Sequence, residues 1–246
     1  MNVKKELGIQ SYCFRGIKDN AKVAQLLKKC GVNVIELCAV HVDFNGERKS
    51  AKVLETYQSH GVHISAIGVE RFSDNVSAER KRFEFARRAG AVTISADFAV
   101  DSVPGSFKAA AKLADKYDIN LGIHNHGGYH WLGSRQMLRH IFKNTSPRIG
   151  LCLDTAWAID GGEDPVVMAE EFGDRLHGVH IKDFAYTRDR KRHDVVVGTC
   201  TLNLPKFMAT LKKVKFKGSL IIEYEGDISN PVPALKKCVA AVNKTA

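Results

Sequence analysis

The chain has 246 residues, 44% of them hydrophobic, with 37 Lys plus Arg against 27 Asp plus Glu and a formal charge of +10. This is an ordinary globular composition, large enough for one sizeable core or two small ones. The basic excess alone leaves polyanions, phosphorylated metabolites and simple solubility open as explanations. No window approaches the ~18 apolar residues of a membrane span, and the N-terminal MNVKKELGIQSY carries no apolar signal core. Cysteines 13, 30, 38, 152, 200 and 238 form no CxxC pair and sit mostly in apolar runs, so free thiols and a cytoplasmic location are expected.

In chain order, β-rich runs fall at 7–12 (LGIQSY), 32–38 (VNVIELC), 62–67 (VHISAI), 91–97 (AVTISAD), 120–125 (NLGIHN), 148–154 (RIGLCLD), 176–182 (LHGVHIK) and 218–225 (GSLIIEYE). Their onsets recur roughly every 30 residues, the size of one βα unit. Between them lie segments with helical periodicity, among them AKVAQLLKKCG and AERKRFEFARRAG, which end in the Gly that helix C-termini favour. Eight such units, with no linker or low-complexity tract, predict an α/β fold: a single-domain (β/α)8 TIM barrel over residues 1–246. An open doubly wound sheet is the alternative, weakened because no GxGxxG turn follows the first strand.

Strand side chains alternate with period two, so parity assigns each to the barrel interior or the helix side. With His124 inward, Gly122 is inward and Leu121 and Ile123 face the helices. Asp154 inward takes Cys152 and Gly150 with it, His180 takes Gly178 and Lys182, and Glu223 takes Ser219, Ile221 and Glu225. Four consecutive strands thereby present His124, Asp154, His180 and Glu223 at the C-terminal rim, where such barrels carry their active sites. Any one of these residues is more simply a hydrogen-bonded strand end. Four in register, however, would be costly to desolvate without a cation. The mixed nitrogen and oxygen set suits one divalent ion such as Mn, Fe, Co or Zn better than Ca.

DTAW at 154–157, HIKD at 180–183, GTxxLxLxxF at 198–207 and IIEYE at 221–225 resemble the xylose isomerase-like TIM barrels of sugar phosphate isomerases and epimerases, over essentially the whole chain. The resemblance implies a divalent-metal-dependent sugar or sugar phosphate isomerase/epimerase working through a metal-stabilised enediolate. It implies one ion (Mn, Co, Zn, Fe or Mg, with Mn or Zn favoured) and a small-molecule carbohydrate substrate. In that family the ion is held by Glu, Asp, His and Glu on the fifth to eighth strands, and the two glutamates exchange protons with opposite faces of the substrate. Asp154, His180 and Glu223 match the last three positions, whereas His124 stands where the family has Glu. Glu223 then remains a candidate base, and the second proton carrier is sought among His126, Lys182 and Glu225. This asymmetry makes a metal-dependent keto-sugar lyase or dehydratase the alternative. An apurinic endonuclease-like role in DNA repair is disfavoured because Trp157 replaces a needed ligand and no DxH follows His180. A non-catalytic sugar-binding barrel is a further class, and neither nucleic acid nor membrane is expected as a partner. Homo-oligomerisation stays open.

Other rim residues complete the expected site. Glu36, Asp97, Trp157, Glu225 and Arg188 are candidates for substrate binding, and Asp183 for orienting a ligand or loop. Asp97 has turn capping as its blander reading. Trp157, Tyr129, Phe14 and Trp131 are candidates to stack on a sugar or cover the ion. The basic run TRDRKRHD at 187–194 is expected to be a long, solvated loop of lid length.

Overall fold

The computed structural model describes residues 7–245. Eight parallel strands close into a barrel: β1 (Leu7–Gln10), β2 (Val34–Leu37), β3 (His63–Phe72), β4 (Thr93–Phe98), β5 (Asn120–His124), β6 (Ile149–Asp154), β7 (Leu176–Ile181) and β10 (Ser219–Ile222). Each pairs with its neighbour in sequence, and β10 returns to β1, as expected of a TIM barrel. Two further strands, β8 (Phe184–Tyr186) and β9 (Arg192–Asp194), form a separate antiparallel hairpin.

Helices α1 (Asn20–Lys29), α2 (Glu47–Ser59), α3 (Val76–Ala89), α4 (Gly105–Tyr117), α5 (Arg135–Asn144), α6 (Thr155–Asp160), α7 (Pro165–Glu171), α8 (Leu204–Lys213) and α9 (Val232–Thr245) connect the strands. Their starts are set locally: Asp19, Asn75, Ser134, Asp164 and Asn203 each accept a first-turn amide through the side chain. Among the described residues, no helix is long and apolar enough to cross a membrane.

The barrel separates two kinds of strand residue. Ile35, Ile94, Leu121, Ile123, Leu151, Leu153, Val179, Ile181, Leu220 and Ile222 join one buried apolar cluster with helix residues such as Leu27, Phe83, Leu138 and Phe207. On the β4–β7 side the interior is lined instead by small groups. Ser95 donates to the Cys152 sulfur at 3.3 Å, and Gly122 pairs in register with Gly150. A Cβ on Gly122 would lie 2.8 Å from the Cys152 Cβ and 3.0 Å from its amide nitrogen, so only glycine fits below His124.

Three segments differ from the sequence expectation. β1 stops at Gln10 because the Gln10 side chain accepts the Tyr12 amide and turns the chain into a 3-10 helix over Ser11–Phe14. β3 continues to Phe72, with a register shift between Ile67 and Glu70. The basic run 187–194 is the turn and second strand of the β8–β9 hairpin, with Thr187 and Lys191 hydrogen-bonded across its turn. Behind the hairpin, the buried Asp183 carboxylate accepts the amides of Cys200, Thr201 and Leu202 at 2.9–3.0 Å and the Thr201 hydroxyl at 2.8 Å. That side chain fixes the loop leading into α8.

Replacing Gly122 by Val is expected to destabilise the barrel by about 1–3 kcal/mol through overpacking, read as a lowered melting temperature; an unchanged melt would contradict the close approach. Asp183→Ala should strip hydrogen-exchange protection from the Cys200–Leu202 amides while the barrel strands stay protected. Retained protection at those amides would show that other contacts hold the loop.

Candidate functional site

Parity and register deliver four side chains to one point. His124 ends β5, Asp154 ends β6 directly opposite His180 of β7, and Glu223 follows β10 immediately, its amide still bonded to the Ile181 carbonyl at 3.1 Å. One donor atom from each of His124, Asp154, His180 and Glu223 lies within 4.8 Å of all the others, and all four residues are buried. His124 Nε2 is 3.1 Å from His180 Nδ1, 3.6 Å from Asp154 Oδ2 and 3.9 Å from Glu223 Oε2. His180 Nδ1 is also 3.1 Å from Glu223 Oε2.

The outward sides of His180 and Asp154 are already engaged. His180 Nε2 meets the carboxylate of Glu36 at 2.8 Å, which keeps a proton on Nε2 and turns Nδ1 toward the centre, 3.1 Å from Glu223 Oε2. Asp154 Oδ1 caps α6 by accepting the Trp157 amide at 2.8 Å, and Asn125 clamps the Asp154 backbone with two bonds of 2.8 and 3.0 Å. Asp154 Oδ2, fully enclosed, has no hydrogen-bond partner. The centre thus gathers two carboxylates and two imidazoles in a buried space, an arrangement that demands positive charge, supplied by a proton on His180 or by a cation in its place.

Electrostatics bear this out. Burial, reinforced by His180, lowers the pKa of His124 to about 3, so it is a neutral imidazole with a lone pair to give. Burial raises the carboxyl of Asp154 to about 6 against the opposing pull of Lys182. Burial disfavours charge on His180, yet Cys152, Glu36 and Glu223 outweigh it and hold its pKa well above the usual imidazole range. For Glu223 burial is likewise outweighed, here by Lys182 and His180, and the group stays anionic. This donor set, two imidazoles and two carboxylates with one oxygen unpartnered, fits a divalent cation of the borderline kind.

Beside the cluster opens a cavity of about 400 Å³ lined by Gln10, Tyr12, Cys38, Val69, Trp157 and Glu225, with His124, His126 and Glu223 at its base. A larger apolar cleft of about 680 Å³ lies on the outer wall between α4 and α5 and contains none of the clustered groups. The His126 ring lies tilted against that of His124, with centroids 4.6 Å apart, and against Trp157 at 5.9 Å. Lys182, 1% exposed, is bonded through Nζ to Glu225 and lies 3.8 Å from both Glu223 and Asp194.

Several expected residues stand elsewhere. Glu36 is sealed behind His180 and does not reach the cavity, because β2 faces β7 across the barrel. Asp97 is drawn away by Arg71 at 3.1 Å and His130 at 3.4 Å. Arg188 is exposed in the hairpin turn. Arg192 instead lies over the Trp157 ring at 4.4 Å. Phe14 is core, Tyr129 is fully exposed, and Trp131 donates to the Phe98 carbonyl beside Phe107. Sequence reasoning missed Gln10, Tyr12 and Val69. Gln10 shares the inward phase of Gly8 and was open to the parity test, whereas Tyr12 and Val69 reach the cavity through the turn after β1 and the irregular stretch of β3.

The fold has relatives. The chain superposes on a sugar phosphate isomerase/epimerase from Parabacteroides distasonis with a TM-score of 0.74 at 19% identity, over 96% of this chain and 93% of that one. It matches D-allulose 3-epimerase from a Methylomonas species with a TM-score of 0.74 at 16% identity, over 98% of each chain. An uncharacterised Parabacteroides distasonis protein matches at 22% identity with a TM-score of 0.72, over 99% of this chain and 100% of that one. At these identities the likeness is one of fold. No curated protein sequence matches the chain. The family model for the xylose isomerase-like TIM barrel matches residues 24–243, and the chain belongs to that family.

Proposed function

We propose that the chain is a divalent-metal-dependent sugar isomerase or epimerase. The observation that carries the reading is the buried convergence of His124, Asp154, His180 and Glu223 around an unpartnered Asp154 oxygen at the floor of an open cavity. The names of the structural neighbours, among them an L-ribulose 3-epimerase, support the same substrate class.

In this reading the four clustered residues hold the ion, and Glu36 orients His180 from behind. A bound divalent ion supplies Lewis acidity toward a carbonyl oxygen. Glu223, kept anionic by Lys182 and reaching the cavity, is the base that removes a proton from the carbon next to that carbonyl, leaving an enediolate. His126 also lines the cavity; burial and the neighbouring His124 lower its pKa to about 4, so it is a neutral imidazole and the proton it would return is its own ring N–H, replaced from solvent. Trp157 and Tyr12 offer flat walls for the apolar face of a sugar ring. Lys182 acts on Glu223 and Glu225 and does not line the cavity.

The second reading, a keto-sugar lyase or dehydratase, draws on the substitution of His124 for a family glutamate. With one carboxylate and one imidazole as proton carriers, the site is asymmetric. Proton abstraction by Glu223, followed by protonation of a departing β-oxygen by the imidazole, would expel water or an alcohol.

Solvent-deuterium incorporation into a panel of ketoses and 3-keto sugars separates these readings. Exchange without loss of substituents is expected, abolished by chelation and in the Asp154→Ala and His180→Ala variants. Release of water or an aglycone would favour elimination, and metal-independent activity that survives both substitutions would overturn the metal site. Glu36→Gln should weaken divalent-ion affinity about 10- to 100-fold while the fold persists. Undiminished affinity in that variant would remove Glu36 from the account.

A further inference from the structure

The basic excess of the chain leaves an anionic substrate open, but the cavity is built against one. Among the described residues that line it there is no Lys or Arg, while two carboxylates, Glu223 and Glu225, face into it. The cation nearest its base, Lys182, is 1% exposed and surrounded by acids: Glu225 bonded to its Nζ, with Glu223 and Asp194 each at 3.8 Å. The guanidiniums at the mouth are committed as well. Arg15 lies 4.8 Å over the Tyr12 ring and donates to the carbonyls of Tyr12 and Glu225, and Arg192 is laid on Trp157 with Asp160 at 3.7 Å.

With a divalent ion balanced by Asp154 and Glu223, and Lys182 balanced by Glu225, the site carries no spare positive charge, so a phosphate ester would be desolvated beside the Glu225 carboxylate with no cation to compensate it. A neutral polyol meets groups it can use: the Tyr12 hydroxyl, two imidazoles, carboxylate acceptors and the Trp157 face. We infer that Glu225 makes this site selective for uncharged sugars over their phosphate esters, by occupying Lys182 and by presenting its own carboxylate to the cavity. The inference rests on the sugar reading above and narrows it to unphosphorylated substrates.

Binding, which needs no turnover, tests it. Saturation-transfer NMR in Mg(II) buffer compares D-fructose with D-fructose 6-phosphate, and D-ribulose with D-ribulose 5-phosphate, on the intact protein. In at least one pair the free sugar should bind about tenfold or more tighter than its ester, about 1.4 kcal/mol. Glu225→Gln should narrow that ratio by strengthening ester binding, and the double variant Glu225→Gln/Lys182→Gln should lose the gain. Esters that bind the wild type as tightly as the free sugars overturn the selectivity and leave the sugar reading intact. A ratio unchanged in folded Glu225→Gln removes Glu225 as its cause. The wild-type ratio, together with Glu225→Asp, which keeps the charge and should keep the selectivity, tests the proposal if the Gln variant does not fold. Binding of no sugar, free or esterified, overturns the selectivity and the sugar reading together.

Discussion

Two imidazoles and two carboxylates, all buried and with donor atoms within 4.8 Å of one another, are the constraint around which the rim of this barrel is organised. Each would find water if it could. Three cannot turn away because they are fixed from outside: His180 by Glu36, Asp154 by the α6 cap and by Asn125, and Glu223 by its ladder amide and Lys182; His124 is placed by its strand alone. A lone buried carboxylate or imidazole can shed its charge by a pKa shift. A converging set cannot all do so, and the resulting demand for positive charge distinguishes this rim from an ordinary collection of strand ends.

The barrel makes that arrangement affordable. Gly122, Gly150 and Gly178 leave the interior below the cluster narrow, so β5, β6 and β7 approach closely and their terminal side chains meet at hydrogen-bonding range. The apolar alternates on those strands, Leu121, Ile123, Leu151, Leu153, Val179 and Ile181, bury against the helices and lock the register. A one-residue slip would turn those apolar side chains inward and the ligand-type side chains toward the helices, so the energetics of packing hold the chemistry in phase. Asp183 and the β8–β9 hairpin then carry Asp194 and Arg192 to the rim, where they meet Lys182 and Trp157. Stability and site geometry are thus two consequences of the same alternation.

That alternation explains what could be read from the sequence. Strand periodicity and the recurrence of βα units carried the fold, and parity alone brought His124, Asp154, His180 and Glu223 to one rim. What escaped depends on contacts across the barrel or on irregular backbone. Glu36 has an inward phase, but its meeting with His180 joins residues 144 positions apart on strands that are not neighbours. Asp97 has the same inward phase, yet Arg71 and His130 claim it. Tyr12 and Val69 reach the cavity through a 3-10 turn and a register shift, neither of which has a period-two signature. Trp131 and Tyr129 follow the same strand as the histidines, but the loop after β5 sends one to the α4 side and the other into solvent.

The central claim is that the acceptor cluster is a single-cation site with two nitrogen ligands. Crystallography of the Mn(II)-soaked protein, with anomalous data at the manganese edge, addresses it directly. The account predicts one peak enclosed by His124 Nε2, His180 Nδ1, Asp154 Oδ2 and Glu223 Oε2. A cluster without density, its acceptors bridged by protons or water while manganese sits elsewhere or nowhere, would contradict it.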